Sequence, residues 1–423
     1  MSATDSTDST RPAPTVPSAR IESLDVVRGV ALLGILLLNI LYGLPGLSYF
    51  TPVADGALSG VNFAAFVTVE TLFEGVMRGL FSMLFGAGVA LFADGRGAGP
   101  YYRRQALLLG FGVFNALVLM FSGDILVTYA LAGFILYFAR NWRPRTLLIV
   151  AGVVYLWLGL VYGGLFSAAS YLDRQADSDQ ASAAAPPPSA APMEEALSFL
   201  DPSPEEIENE VVAHTAPYGE AFLANLDEVV GMWLAALPWT LFWDALACML
   251  VGMALYRAGV LQGAKSEGYY VRLAVWGIAI GLTVNVLEVA MRVSTDFGLA
   301  WSPMITTPTY DIGRVATALG YVGLVLLVCQ RGLLPRIRHA LSAVGRMALT
   351  NYLMHSLFFL LLFHHSVGLG LWNRLERVEL YLVVFAIWAF QIAFSLWWMG
   401  RYRFGPMEWV WRVLTYGRLP SGR

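Results

Sequence analysis

The sequence predicts an all-α polytopic membrane protein with about ten transmembrane helices in one bundle. Its composition carries this prediction, since 57% of the 423 residues are hydrophobic and only 13% are charged. The mean hydropathy is +0.61, whereas a soluble chain carries about 25% charged residues. The 13 Trp and 19 Tyr residues agree with this class, because amphipathic rings settle at the headgroup level of a bilayer.

The apolar stretches fall into ten segments, each close to the length that a bilayer requires. We place these spans at residues 28–44, 76–93, 104–121, 125–140, 146–169, 232–256, 270–292, 311–330, 345–364 and 379–400. Residues 61–75, which precede the second span, are expected to form an interfacial or re-entrant helix.

Two membrane halves of five spans each follow from this assignment, at residues 20–170 and 229–423. Residues 1–19 are rich in Ser, Thr, Pro and Ala, which is typical of a disordered tail. The tail is expected in the cytoplasm, because Arg11 and Arg20 belong to the arginine-rich side of the chain.

The segment between the halves, residues 171–228, is strongly acidic. It contains thirteen acidic residues and one basic residue, a net charge of −12, so the rest of the chain carries +9. Residues 176–192 are low-complexity linker. Residues 193–228 are expected to be helical, either as a small acidic cap over the outer face or as a solvated surface loop.

The basic residues predict the orientation in the membrane. The chain ends and loops that would share one side contain Arg11, Arg20, Arg96, Arg103, Arg104, Arg140, Arg143, Arg145, Arg257, Lys265, Arg272, Arg331, Arg336, Arg338, Arg401, Arg403, Arg412 and Arg418. The opposite loops contain Asp55, Glu70, Asp296 and the acidic segment. Since cytoplasmic loops are rich in Lys and Arg, both termini are expected in the cytoplasm of a bacterial-type inner membrane. The arginines are scattered between apolar runs, so no nucleic-acid partner is predicted.

The first span opens with a charged motif containing Asp25 and Arg28, three residues apart, and continues to Asn39. Residues at this spacing share a helix face and can pair. The motif is therefore either a membrane anchor with a helix cap or a site for an anionic group, since Arg suits phosphate and carboxylate.

This opening, RIESLDVVRGVALLGILLLNI, resembles that of the YeiB-like membrane proteins, a family with a domain of unknown function (418). Other stretches resemble the same family: LFSMLFGAG at 80–88, YYRRQALLLGFGVFNALVLMFSGDILVTYAL at 101–131, GRMALTNYLMHS at 345–356 and FGPMEWVWRVLTYGR at 404–418. The opening is also distantly similar to that of transmembrane acyltransferases of the heparan-glucosaminide acetyltransferase type. That resemblance implies acyl transfer from a cytoplasmic thioester, an acyl-CoA, to an acceptor outside. In some of those enzymes a His lies eleven residues after the motif Arg, where this chain has Asn39.

Charged and polar residues recur in the seventh and eighth spans. Asn285, Glu288 and Arg292 lie on one face of the seventh span, and Asp311 and Arg314 lie on one face of the eighth. Ionisable groups within spans face the bundle interior or a wet cavity, and they normally pair. They therefore form either structural ion pairs or a polar cavity that binds substrate or a proton.

His355 is the histidine expected at membrane depth, with Asn351 one turn earlier on the same face. Histidine can abstract a proton near neutral pH, but a buried His is also a common hydrogen-bonded core residue. Asp124, at the start of the fourth span, is either a helix cap or a catalytic partner of His355. Glu288 is the alternative candidate for that partner.

These residues leave three functions open. The leading interpretation is an acyltransferase that acts on an envelope glycan or lipid acceptor, with an acyl-CoA donor and no bound cofactor or metal. The second is a transporter or exporter of a small organic anion or lipid. The third is a structural or regulatory membrane partner. The lipid bilayer is the expected surrounding in all three.

Overall fold

The computed structural model describes residues 22–49, 51–53, 55–93, 97–181, 204–297 and 302–417. The structure in these ranges is all-α, as predicted, and no strand occurs within them. The predicted disordered tail and the linker residues from 182 to 192 lie outside the described residues.

The described chain forms fifteen α-helices. They are α1 (Glu22–Asn39), α2 (Gly60–Leu72), α3 (Val76–Ala93), α4 (Ala98–Leu117), α5 (Leu126–Leu136), α6 (Pro144–Ala181), α7 (Pro204–Thr215), α8 (Tyr218–Gly231), α9 (Phe242–Arg257), α10 (Glu267–Ser294), α11 (Ser302–Gln330), α12 (Pro335–Arg346), α13 (Ala348–Phe363), α14 (Arg377–Met399) and α15 (Pro406–Tyr416). A π-helical stretch, Met232–Leu241, contains Pro238 and joins α8 to α9.

Within the described residues, seven helical segments are long and apolar enough to cross a membrane, or up to eight with the bent pair α12–α13. The expected count of ten is therefore not confirmed. The predicted span 104–121 falls on α4, whose first turns carry Arg103 and Arg104. The predicted span 125–140 falls on α5, which has only 11 residues, fewer than a bilayer requires.

A break at Gly75 separates α2 from α3. Gly75 has a φ of +62°, a conformation that residues with a Cβ rarely adopt. A Cβ at this position would also lie 2.6 Å from Cδ of Arg314 and would collide with the Tyr310 hydroxyl. The break therefore allows the start of α3 to pack directly against α11.

Helix α1 is the most enclosed candidate span, with 83% of its apolar window buried. Gly29 on α1 and Gly345 on α12 face each other, since a Cβ at Gly29 would collide with the Leu341 carbonyl and one at Gly345 with the Asp25 carbonyl. The glycine of the opening motif thus lets two backbones approach closely, as small residues do at helix interfaces in membranes.

Helices α7 and α8 pack on the end of the bundle that we predict to be external. Their contacts are Glu210 with the Gly46 amide (2.8 Å), Asn225 with the Ala116 carbonyl (3.0 Å), Glu228 with Ser122 (2.7 Å) and the His214 ring stacked on Trp372 (centroids 4.3 Å apart). Burial raises the pKa of the Glu210 carboxyl. These helices therefore rest on the bundle and form a cap.

Helix α15 closes the opposite end. Glu408 accepts hydrogen bonds from the Leu349 amide (2.6 Å), the Thr350 amide (3.1 Å) and the Thr350 hydroxyl (2.6 Å) at the start of α13. Trp411 donates to the Arg104 carbonyl (3.0 Å) and stacks under that guanidinium. The ending FGPMEW thus caps α13 from a distant part of the sequence, because the first amides of a helix lack partners within it.

Candidate functional site

Eight charged side chains from five helices and the break at Gly75 meet in what we call the charged cluster. Its members are Glu70, Glu74, Arg78, Asp244, Glu288, Arg292, Asp311 and Arg314. The cluster gathers four predicted site residues, Glu288, Arg292, Asp311 and Arg314, and Asn285 lies beside them. Asn285 donates to the Thr71 carbonyl at 2.9 Å and so ties α10 to α2.

Arg314 lies at the centre of the charged cluster, with a side chain only 1% exposed. Its Nη2 donates to both Asp244 and Asp311. Its Nε and Nη1 atoms are buried and make no hydrogen bond within the described residues. Leaving such donors unpaired is costly. The guanidinium can therefore donate hydrogen bonds to a further partner.

Arg292 pairs with Glu70, whose side chain is 8% exposed. Glu70, which the orientation argument assigns to a loop, lies on α2 within a buried ion pair, as the predicted helix at residues 61–75 allows. Arg78, one turn into α3, donates to the Tyr310 hydroxyl at 3.2 Å and lies 3.7 Å from Asp244. The segment from α2 to the first turn of α3 therefore supplies three of the eight charges in the cluster, Glu70, Glu74 and Arg78.

Carboxylates outnumber guanidinium groups in the charged cluster by five to three. Glu74 accepts from the Tyr310 hydroxyl at 2.9 Å, and Glu288 accepts from the Thr309 hydroxyl. Neither carboxylate forms an ion pair with another described residue. If all five carboxylates are ionised, two negative charges have no counter-charge among the described residues, which is costly in a poorly solvated region.

The free space in the charged cluster is small. The cavity lined by Glu70, Glu74, Glu288, Arg292 and Arg314, together with Asn285, Val289 and Tyr310, has a volume of about 10 Å³ open to the centre of a water molecule. That is room for about one water. A larger ligand could enter only if some of these ion pairs separated.

A second polar group, which we call the central network, lies around the start of α5 and the middle of α13. Asp124 accepts hydrogen bonds from Asn115 (2.7 Å), the Tyr352 hydroxyl (3.4 Å) and the Val127 amide (2.9 Å). The bond from Val127 makes Asp124 a cap for α5. Tyr352 extends the network toward His355, with ring centroids 6.3 Å apart.

His355 is fully buried, and its Nε2 lies 3.2 Å from Oε1 of Gln391. The Gln391 amide is oriented by its own bond, in which Nε2 donates to the Asn351 carbonyl at 2.9 Å. Gln391 Oε1 is therefore an acceptor, so His355 Nε2 must carry a hydrogen. In the neutral imidazole the lone pair then resides on Nδ1, which has no hydrogen-bond partner within the described residues.

Asn351 holds this arrangement in place, because its Nδ2 donates to Ser395 at 3.0 Å and to the Val344 carbonyl at 3.2 Å. The predicted pairing of His355 with Glu288 is not observed. Glu288 belongs to the charged cluster and shares no described hydrogen-bond partner with His355, whereas Asp124 is connected to the histidine through Tyr352.

The opening motif is divided between the two ends of α1. Arg28 pairs with the buried Asp25 at 2.9 Å, and the Arg28 side chain is 28% exposed. Asn39 lies eleven residues beyond Arg28, which is about 16 Å at the rise of an α-helix. Its Nδ2 is buried and has no partner within the described residues. The structure therefore does not bring the three motif residues together.

Sequence reasoning missed Glu70, Glu74 and Arg78 as members of the charged cluster, and it missed Tyr310, which forms hydrogen bonds with Glu74 and Arg78. A signal was present, because Glu70, Glu74 and Arg78 recur every four residues within an otherwise apolar stretch. Charged residues at that spacing occupy one helix face, and in a membrane segment they face the protein interior.

The helices and their buried charges define a polytopic α-helical membrane protein. A family described as "Protein of unknown function (DUF418)" matches residues 255–418. The uncharacterized protein YeiB of Escherichia coli (strain K12) is 33% identical over 93% of this chain and 95% of its own length. The chain therefore belongs to the YeiB-like family.

Two further relatives are similar to this chain. The uncharacterized protein YxaH of Bacillus subtilis (strain 168) is 29% identical over 95% of this chain and 96% of its own length. An uncharacterized 39.9 kDa protein from Bacillus acidopullulyticus is 40% identical over 23% of this chain and 28% of its own length. No solved structure matches significantly. These matches carry no activity, so the resemblance to acyltransferases stays a prediction.

Proposed function

We propose that the protein is a membrane acyltransferase that moves an acyl group from a thioester donor to a hydroxyl group of an envelope glycan or lipid. The observation that supports this proposal is the free acceptor atom of His355. Because Nε2 donates to Gln391, Nδ1 retains its lone pair, and no described residue donates to it. An imidazole in that tautomer can act as a general base.

In the proposed reaction, His355 Nδ1 removes the proton of the acceptor hydroxyl while the oxygen attacks the carbonyl carbon of the thioester. The carbon–sulfur bond then breaks, and the imidazolium returns the proton to the departing thiolate. The products are an ester of the acceptor and a free thiol. Since His355 is fully buried, an acceptor reaches it only when the helices around α13 separate, as in many gated sites.

Asp124 acts in this proposal as a positioning residue. It fixes Tyr352, which in turn packs near the His355 ring. Asn351 has a similar part, because its carbonyl orients Gln391. Glu288 receives no role in proton transfer, because it belongs to the charged cluster and shares no described hydrogen-bond partner with His355.

The proposed donor is an acyl-CoA that approaches from the arginine-rich side. Arg28 is the residue of the opening motif that is partly exposed there, and a guanidinium binds phosphate groups well. Asp25 orients Arg28 through their ion pair. The donor is a soluble substrate in this proposal and not a resident cofactor.

Thiol release tests the proposal directly. Purified protein in lipid nanodiscs, supplied with acetyl-CoA and glycan or lipid hydroxyl acceptors, is expected to release free thiol. His355→Gln should lower the rate at least about 100-fold, the size of a general-base contribution, while the protein stays folded. His365→Gln, at an exposed position, is the matched control and should leave the rate unchanged. Full turnover by the His355 variant would contradict the proposal.

The proposed direction of transfer requires both termini in the cytoplasm of a bacterial inner membrane. Reporter fusions after Asp201 and at the C-terminus should then report opposite sides of the membrane. If both fusions reported the same side, the donor could not approach as proposed.

Transport of a small organic anion is the second candidate function, and the charged cluster favours it. Arg314 has unpaired buried donors, and Glu74 and Glu288 have no ion-pair partner among the described residues, so an anion could bind together with protons. Proteoliposomes should then accumulate labelled carboxylate in response to an inward proton gradient, without any thioester. Thiol release without uptake would favour the acyltransferase instead.

A further inference from the structure

A second cavity lies at the arginine-rich end, between α12 and the end of α14. It has a volume of about 90 Å³ open to the centre of a water molecule, far more than the cavity in the charged cluster. The lining side chains and backbone come from His339, Ser342, Ala343, Arg346, Leu396, Met399 and Gly400. This cavity is large enough to hold a group of several atoms.

The two walls of this cavity differ in chemistry. Helix α12 contributes an imidazole, a hydroxyl and a guanidinium, from His339, Ser342 and Arg346, whereas α14 contributes the apolar side chains of Leu396 and Met399. Among the described residues, no carboxylate lines the cavity. Arg346 donates to the Arg403 carbonyl at 3.3 Å, which ties its guanidinium to this end of the bundle. The cavity therefore suits a ligand with an anionic part and an apolar part.

The position of α12 places this cavity at the membrane surface. The axis of α12 is bent by 79° from that of α13, so α12 cannot continue across the membrane in the direction of α13. Leu334 and Ile337 are 55% and 53% exposed, and the charged Arg336 is exposed between them. Exposed apolar residues beside arginines are typical of a helix that lies in the headgroup region.

Residues at the end of α14 also indicate that the cavity lies at the membrane surface. Trp397 is 48% exposed, and the Arg401 guanidinium lies 4.8 Å from its ring centroid. Tryptophan and arginine at the end of a span mark the boundary between acyl chains and headgroups. Leu396 and Met399, in the last turn of α14, thus lie at that boundary.

We propose that this cavity binds the phosphate group of an anionic phospholipid. Arg346, Ser342 and His339 surround the phosphate, and the glycerol and upper acyl chain lie along Leu396 and Met399. A soluble phosphate would leave the apolar wall without a partner, whereas a lipid covers both walls. Basic pockets between spans at the cytoplasmic surface bind lipid headgroups in this way. The proposal concerns a site separate from His355 and does not depend on acyl transfer.

Lipid titration of the purified full-length protein in detergent tests the proposal, with the melting temperature as the readout, since a ligand that binds the folded state raises it. Phosphatidylglycerol should raise the melting temperature at concentrations at which phosphatidylcholine with the same chains does not. Equal shifts with both lipids would overturn the proposal.

Two variants test the cavity, and a third variant serves as a matched control. Arg346→Gln should weaken the response to phosphatidylglycerol about tenfold or more, the size expected for a lost charge-assisted hydrogen bond. Ser342→Leu should do the same by filling the cavity, and it keeps the test valid if Arg346→Gln fails to fold. Arg336→Gln removes an exposed charge from the same helix outside the cavity, and its response should stay within about twofold of wild type.

The remaining outcomes separate the sources of phosphate. If Arg336→Gln weakened the response as much as Arg346→Gln, the attraction would be a diffuse surface effect and the proposed site would be wrong. If glycerol phosphate alone reproduced the full shift at the same concentration, a soluble phosphate would be the ligand. Either result would overturn the assignment to a lipid.

Discussion

The charged cluster and two separate carboxylates, Asp124 and Glu408, show two ways in which this protein stabilises buried acidic side chains. In the charged cluster, three arginines form ion pairs with three of the five acids, and most of these pairs join different helices. Asp124 and Glu408 instead have no ion pair with any described residue, and backbone amides and neutral side chains satisfy them. Removing one charge from the first arrangement leaves others unpaired, whereas removing one from the second leaves only neutral donors.

The largest effect is expected for Arg314→Met. This change leaves Asp244 and Asp311 buried without their main counter-charge, which should lower the free energy of unfolding by about 3–5 kcal/mol. Unfolding in detergent, followed by the loss of monodisperse protein on heating, measures it. Adding Asp244→Asn and Asp311→Asn should restore much of the loss. Arg331→Met is the control, since its ion pair with Glu267 is about half exposed and worth about 1 kcal/mol or less. If both variants lowered the free energy of unfolding by similar amounts, the charged cluster would be no more sensitive to a lost charge than an exposed ion pair.

A smaller effect is expected for Glu408→Ala. The first amides of α13 lose their acceptor in this variant. The free energy of unfolding should therefore fall by about 2 kcal/mol, the upper value for a helix cap. The same unfolding measurement applies. Glu220→Ala changes an exposed glutamate in the first turn of α8 and should cost much less. A loss as large as that of Arg314→Met would mean that Glu408 has charged partners.

Asp124→Asn should cost about 1 kcal/mol or less in the same unfolding measurement. The introduced amide would keep one oxygen for the Val127 amide, and the Asn115 side chain can rotate to present its own oxygen, which is unpaired in the described structure. A cost of several kcal/mol would show that the negative charge of Asp124 is required for stability.

The smallest effect is expected for Glu288→Gln, which should leave stability unchanged or raise it slightly. A neutral amide can still accept from Thr309, and the change removes one of the two negative charges that exceed the arginines. Glu70→Gln is the matched control, because it weakens a buried ion pair with Arg292 and should cost more. A larger loss for Glu288→Gln than for Glu70→Gln would contradict the charge assignment.

The fold class was predictable because it depends on the overall composition of the chain and not on the position of any single residue. The number of spans was not predictable, since the apolar stretches at α4 and α5 have nearly the right length. In the structure the first turns of α4 carry arginines and α5 has only 11 residues. The break at Gly75 depends on the tertiary fit against Tyr310 and Arg314, and no local pattern encodes that fit.

The candidate site was partly predictable for a similar reason. Helical spacing alone groups Glu288 with Arg292 and Asp311 with Arg314, and the structure brings both pairs into the charged cluster. The tautomer of His355 could not be predicted, because it depends on Gln391, which is 36 residues away in the sequence. The acceptor role of Gln391 depends in turn on the carbonyl of Asn351.

The cap that Glu408 provides has a consequence for biosynthesis. Glu408 follows Thr350 by 58 residues, and ribosomes add about 5–20 residues per second. The first amides of α13 are therefore made about 3–12 s before their acceptor exists. During that interval water at the membrane surface or the insertion machinery must satisfy these amides, so the helix that carries His355 reaches its final position only after the C-terminal segment has been made.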